Sequence, residues 1–144
     1  MQYARGINSY KRTQVETADQ KALILMCYDE AIKSLRSGRE CYLKGEFEEK
    51  ARQFSRAQDF ISELLSSLNM EEGGEIAGNL RALYNFFLKH ILEADIKRDL
   101  KAIDGIINML SDLRSAWAQL DMRSQVGSRP EEVTGEAREF SVGA

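Results

Sequence analysis

His90 is the only histidine in the chain, and acid–base or metal chemistry would be sought there first. A di-iron centre in a helical bundle takes a Glu-x-x-His motif from each of two helices plus two further carboxylates. Phe87 stands three residues before His90, so that ligand set cannot be assembled. His90 is instead expected at the solvent-facing edge of a helix, with Glu93, three residues on, as its nearest acid. Cys27 and Cys41 fall within one predicted helix, about 21 Å apart along its axis. That is too far to bridge, so both are expected as reduced thiols. The run Glu72-Gly73-Gly74-Glu75-Ile76-Ala77-Gly78-Asn79 has the look of a glycine-rich phosphate loop. Such a cradle needs a strand before it and a Lys-Ser/Thr pair after it. Here a helix precedes, no such lysine follows, and Glu71, Glu72 and Glu75 repel an anion. Glycines serving a tight turn, and a close helix crossing at Gly78, account for the run better. No serine, cysteine or lysine has a histidine base at a readable spacing. Lys97, Arg98 and Lys101 alternate with Asp95 and Asp99, as on a solvated face rather than a nucleic-acid footprint. The chain is therefore expected to be no enzyme and to carry neither metal nor cofactor.

The elements that hold these residues follow from the apolar period. A chain of 144 residues with 43% apolar residues and one proline fits one helix-rich domain. A net charge of −3 supplies no field for nucleic acid. No apolar run approaches the roughly 20 residues needed to cross a bilayer. Tyr3 to Thr13 lacks a basic-then-apolar signal, so no membrane insertion and a cytoplasmic location are expected.

Thr17-Ala18-Asp19-Gln20 has capping-box spacing and opens a first helix. Ile24, Tyr28, Ala31, Ile32, Leu35 and Tyr42 hold one face of it, widened by Leu23, Met26 and Cys27, and Gly45 is its expected left-handed stop. A second helix is expected from about Phe47 to Leu68, through Ala51, Phe54, Ile61, Leu64 and Leu65, with Asn69 as its stop. Glu48-Glu49 favour its positive end, as Glu71-Glu72 do just before the next helix. A third starts near Gly74 and uses Ile76, Leu80, Leu83, Phe87, Leu88 and Ile91. A fourth follows a break at Ala94-Asp95, with Ile96, Leu100, Ile103, Ile107, Leu110, Leu113, Trp117 and Leu120. Each stripe needs partners, and short links favour antiparallel neighbours. The expected fold is all-α: an antiparallel up-down four-helix bundle over 17–122, an N-terminal extended arm at 1–16 and a mobile C-terminal tail at 123–144. Gly127, Pro130, Gly135 and Gly143 interrupt the tail.

Several stretches then resemble, in order and spacing, the flagellin-specific export chaperones of the FliS family. They are Val15-Glu16-Thr17-Ala18, Leu23-Ile24-Leu25-Met26-Cys27-Tyr28-Asp29 and Arg56-Ala57-Gln58-Asp59-Phe60-Ile61. Gly73-Gly74-Glu75-Ile76-Ala77-Gly78-Asn79-Leu80-Arg81-Ala82-Leu83-Tyr84 is the longest, and Ala94-Asp95-Ile96-Lys97-Arg98-Asp99 and Ala116-Trp117 continue the match. The resemblance spans about residues 6 to 120. It departs at Cys27, where the family commonly has leucine or another apolar residue, and at Asp95, where asparagine is common. It implies an antiparallel bundle that binds the disordered C-terminal segment of flagellin in the cytoplasm. Covering that segment would block premature polymerisation and keep the subunit ready for type III export. An export-gate component or a flagellar regulator is a further candidate partner.

The resemblance also implies an N-terminal segment whose Ile7 and Tyr10 lie over part of the binding surface. They would be displaced or re-docked when flagellin binds, the alternative being an ordinary packed arm. Residues that widen a stripe beyond one interface are candidates for flagellin contact: Leu23 and Met26 on the first helix, Phe60 on the second, Phe86 on the third. Tyr28 and Tyr84 carry hydroxyls for either a partner or an internal hydrogen bond. The competing reading is a structural bundle that buries its surplus apolar surface in a homodimer. The free chain is expected as a monomer or weak homodimer.

Overall fold

In a computed structural model, residues 20–120 are described as four helices: α1 (Gln20–Leu43), α2 (Phe47–Ser66), α3 (Met70–Lys97) and α4 (Leu100–Gln119). The Thr17 cap, the arm and the tail lie outside the described residues. Each helix turns one apolar stripe inward, and together they form an all-α bundle around a single core. α1 packs against α2 and α4, and α3 closes the circuit against the same two.

Polar contacts set the directions of the helices. Lys21, at the start of α1, donates to the carbonyls of Ala118 (2.9 Å) and Leu120 (2.5 Å) at the end of α4. Arg39, near the end of α1, holds Asp104 early in α4 at 2.6 and 3.1 Å, so these helices run in opposite senses. Across α1 and α2, Arg56 donates to Ser34 Oγ (2.9 Å) and to Glu30 (2.5 Å). Across α2 and α3, Lys50 reaches Asp95 at 2.5 Å, and Gln58 reaches the Leu88 carbonyl at 3.5 Å. The lysine at the α4 terminus also satisfies carbonyls that the helix leaves without partners.

Helix ends follow local chemistry, with three departures from the sequence expectations. Gly45 stops α1 as expected: its φ is +76°, Glu46 N–H donates to Cys41 O at 2.8 Å, and Gly45 N–H to Tyr42 O at 3.1 Å. Asn69 does not stop α2, which ends at Ser66. Its side chain accepts from Glu72 N–H at 3.0 Å and caps α3 instead. α3 accordingly begins at Met70 rather than near Gly74. A single turn precedes Gly74, whose φ of 53° and ψ of −128° re-aim the chain in a region open essentially to glycine alone. The third departure is at the α3–α4 junction. The break lies at Arg98-Asp99 rather than Ala94-Asp95, so Ile96 belongs to α3 and stands outside the α4 stripe. Arg98 takes the left-handed conformation (φ 56°), Asp99 N–H donates back to Ala94 O at 2.8 Å, and Asp99 caps α4 through Ala102 N–H at 3.0 Å.

Two packing expectations also change. Ala51 is exposed, not part of the α2 core stripe. The close crossing expected at Gly78 is at Gly38, where the Phe54 ring of α2 lies against the α1 backbone; nothing lies within 4 Å of a Cβ built at Gly78. Gly78→Ala is therefore expected to stabilise the bundle by about 0.4–1 kcal/mol through helix propensity and lost unfolded-chain freedom. A thermal melt checks this, and a lower Tm would restore a tight contact at Gly78.

Candidate functional site

Phe86, Met26 and the buried quartet Leu23, Tyr28, Phe60 and Tyr84 are the sequence candidates that fall within the described residues. Leu23 and Phe60 are core residues. Tyr28 and Tyr84 meet across the bundle, hydroxyl to hydroxyl at 2.5 Å, with ring centroids 6.3 Å apart. Of the two uses considered for those hydroxyls, the internal hydrogen bond is the one made. Burial pushes the Tyr28 phenol far above its ordinary range, with Tyr84 adding to the effect. Burial likewise raises Tyr84 to about 12, while Tyr28 and the Trp117 indole pull it the other way. Both stay neutral at any ordinary pH. Met26 is half-buried against the core, and Phe86 is 37% exposed. Ile7 and Tyr10 lie outside the described residues.

His90 is half-buried rather than open to solvent. Its ring stacks on Phe86 at 3.9 Å between centroids, and its Nδ1 donates to the Phe86 carbonyl at 3.0 Å. Glu93 sits 4.0 Å from Lys89 instead of serving His90. Among the described residues no cluster of three or more His, Cys, Asp or Glu could hold a metal ion. No helix among them is long and apolar enough to cross a membrane.

The surface that stands out is apolar, and most of it escaped the sequence reading. Leu88, Leu92 and Ile96 are spaced by four and so form one row along α3. Leu88 still touches the core, whereas Leu92 is 55% and Ile96 81% exposed. Beside the end of this row stands Phe47 at the start of α2, 56% exposed and edge-on to Tyr42 with centroids 5.7 Å apart. Tyr42, Phe47, Lys50, Asp95, Ile96 and Arg98 line an open cleft of about 490 Å³. The Lys50–Asp95 pair, mostly buried, ties α2 to α3 along one wall. The left-handed Arg98 stands at its rim, a strained backbone position for a residue other than glycine. The cleft pairs apolar walls with charged groups, a surface suited to a partner with one apolar and one polar side. The signal in the sequence was the second period-four row, offset from the buried Leu80, Tyr84, Phe87 and Ile91.

A family model for the flagellar protein FliS matches residues 3–124 of this chain. The chain is similar to the flagellar secretion chaperone FliS of Salmonella typhimurium, 33% identical over 129 residues, covering 86% of this chain and 96% of that protein. It is 32% identical over 119 residues to the flagellar secretion chaperone FliS of Vibrio cholerae, covering 80% of this chain and 88% of that one. The flagellar secretion chaperone FliS of Bacillus subtilis is 28% identical over 111 residues, with coverage of 77% and 82%.

Proposed function

We propose that this chain, which belongs to the FliS family, is a secretion chaperone for flagellin. It acts in the cytoplasm by binding, without catalysis. Its client is the disordered C-terminal segment of flagellin, which it withholds from premature polymerisation and keeps competent for type III export. The observation that supports this reading is the exposed Leu92–Ile96 row with Phe47 beside it, on a bundle whose core is already filled. A disordered segment with an amphipathic pattern gains a helix by laying its apolar face on such a strip. Phe86 and Met26 offer further apolar area, and adaptable side chains of this kind suit a client that repacks. Ile7 and Tyr10 remain the lid of this proposal, covering part of the strip in the free chain and yielding it to flagellin. An export-gate component or a flagellar regulator would meet the same chaperone with or without its client.

Calorimetry with a flagellin C-terminal peptide tests the reading. The wild-type chain is expected to bind one-to-one. Ile96→Glu forfeits about 1.5–3 kcal/mol of apolar burial, so binding should weaken about 10- to 100-fold. Its Tm should stay nearly constant, because an exposed substitution changes stability by only about 0.5 kcal/mol. Absence of binding by the wild-type chain would overturn the function. Sedimentation showing a dimer that flagellin leaves intact would favour the homodimer reading. A chain starting at Thr13 should bind more tightly if Ile7 and Tyr10 compete for the strip, and equal affinity would remove the lid.

A further inference from the structure

The groove between α1 and α4 is lined chiefly by charged and hydroxyl-bearing residues, whose stems supply apolar walls, on a different part of the bundle from the apolar strip. Asp29, Lys33, Arg36, Ser37, Arg114 and the pair Ser111/Ser115 line most of its opening of about 430 Å³, with Ile32 at its floor. Its charge is lopsided for a chain of net charge −3. Three cations face one carboxylate, and Arg114 already holds that Asp29 carboxylate at 2.9 and 3.2 Å. Lys33 and Arg36 are exposed and have no carboxylate within ion-pair distance among the described residues. The neighbouring Arg39 and Asp104 neutralise each other and add nothing net. The groove thus offers two uncompensated cations and three hydroxyl donors, which together suit carboxylates.

We propose that this groove is the docking site of the chain's own acidic segment at residues 130–137, Pro-Glu-Glu-Val-Thr-Gly-Glu-Ala. That stretch carries Glu131, Glu132 and Glu136 between Arg129 and Arg138, so its three carboxylates complement the groove while the flanking arginines lie outside the docked span. Chain length permits the contact. α4 ends at Gln119, and Ser111 lies about 13 Å back along the axis from Leu120, at 1.5 Å per residue. Residues 121–130 can span about 30 Å when extended, enough to turn and return along α4. Tethering keeps the segment at a local concentration of order millimolar, so a few screened ion pairs suffice for a substantial docked population. The docked segment offsets the two uncompensated cations of the groove and leaves the apolar strip on α3 open.

The test is amide NMR on the full chain, comparing wild type with Glu131→Gln/Glu132→Gln/Glu136→Gln and with Lys33→Gln/Arg36→Gln. Neutralising the glutamates should shift the Ser37, Ser111 and Ser115 amides. Neutralising the groove should shift residues 131–136, which no effect on bundle stability alone would do. In wild type the same signals should move as salt is raised to ~1 M, where the Debye length is about 3 Å. Groove signals indifferent to the glutamates and to salt overturn the proposal. Shifts that grow with protein concentration assign the contact to a second copy and overturn it equally. If a separate glutamate-rich peptide moves the groove signals while 131–136 stay unperturbed, the site takes another acidic chain, and docking of this segment is rejected.

Discussion

Gly38→Ala is expected to destabilise the bundle by about 1–3 kcal/mol, although alanine is the better helix former by about 1 kcal/mol. A Cβ at Gly38 would stand 2.5 Å from Phe54 Cδ1 and closer still to Cε1. Phe54 is buried, so its ring has little room to retreat. The Tm should fall by about 4 °C or more for each kcal/mol in a domain of this size. Phe54→Leu in the Gly38→Ala background should recover part of the loss, since the shorter side chain vacates the crossing, and the two changes should be strongly non-additive. Gly105→Ala is the control, because nothing lies within 4 Å of its added methyl. A Gly38→Ala chain as stable as wild type would mean that α1 and α2 are not held at this separation.

Tyr28→Phe should cost about 1 kcal/mol, because it takes one of two hydrogen-bond partners, Tyr28 and the Trp117 indole, from the buried Tyr84 hydroxyl while removing little volume. Tyr84→Phe should cost a similar amount for the reciprocal reason. Removing both hydroxyls should cost more than the sum of the single changes, since each single variant keeps a hydroxyl for the Trp117 indole and the double change leaves that N–H without an acceptor. Denaturant unfolding of the four chains closes the cycle. Additive losses would show that the two hydroxyls do not depend on each other. With the Trp117 indole beside it, this pair is a polar contact within the apolar core, and it links α1 to α3 across the bundle.

Much of this architecture was legible in the chain. The 3.6-residue period picked out Leu35, Ile61, Ile91, Ile103, Leu110 and Leu113, all nearly inaccessible to solvent. Gly45 announced the first stop through its tolerance of a left-handed backbone. Boundaries that depended on choosing between two roles were less legible. Asn69 can end one helix or cap the next, and its acceptance of Glu72 N–H decides for capping. The Gly38 crossing had a signal in Ala31, Ser34 and Gly38, small residues spaced to share one side of α1. Phe54 had to be placed opposite them before it meant a close approach.

That some apolar residues would be left on the surface was more legible than which ones. Tyr28, Tyr84, Leu23 and Phe60 have the character of contact residues but lie inside the bundle, while Phe47, Leu92 and Ile96 lie outside it. A stripe of apolar residues has a direction along its helix, whereas its buried width is set by the neighbours that close over it. The sequence by itself determined that there would be long amphipathic helices, where most of them turn inward, and which family's motifs they carry. Only the tertiary structure decided which apolar residues are left over. Burial is a property of two surfaces meeting, and the helices packed against α3 partly cover Leu88 but stop short of Leu92 and Ile96.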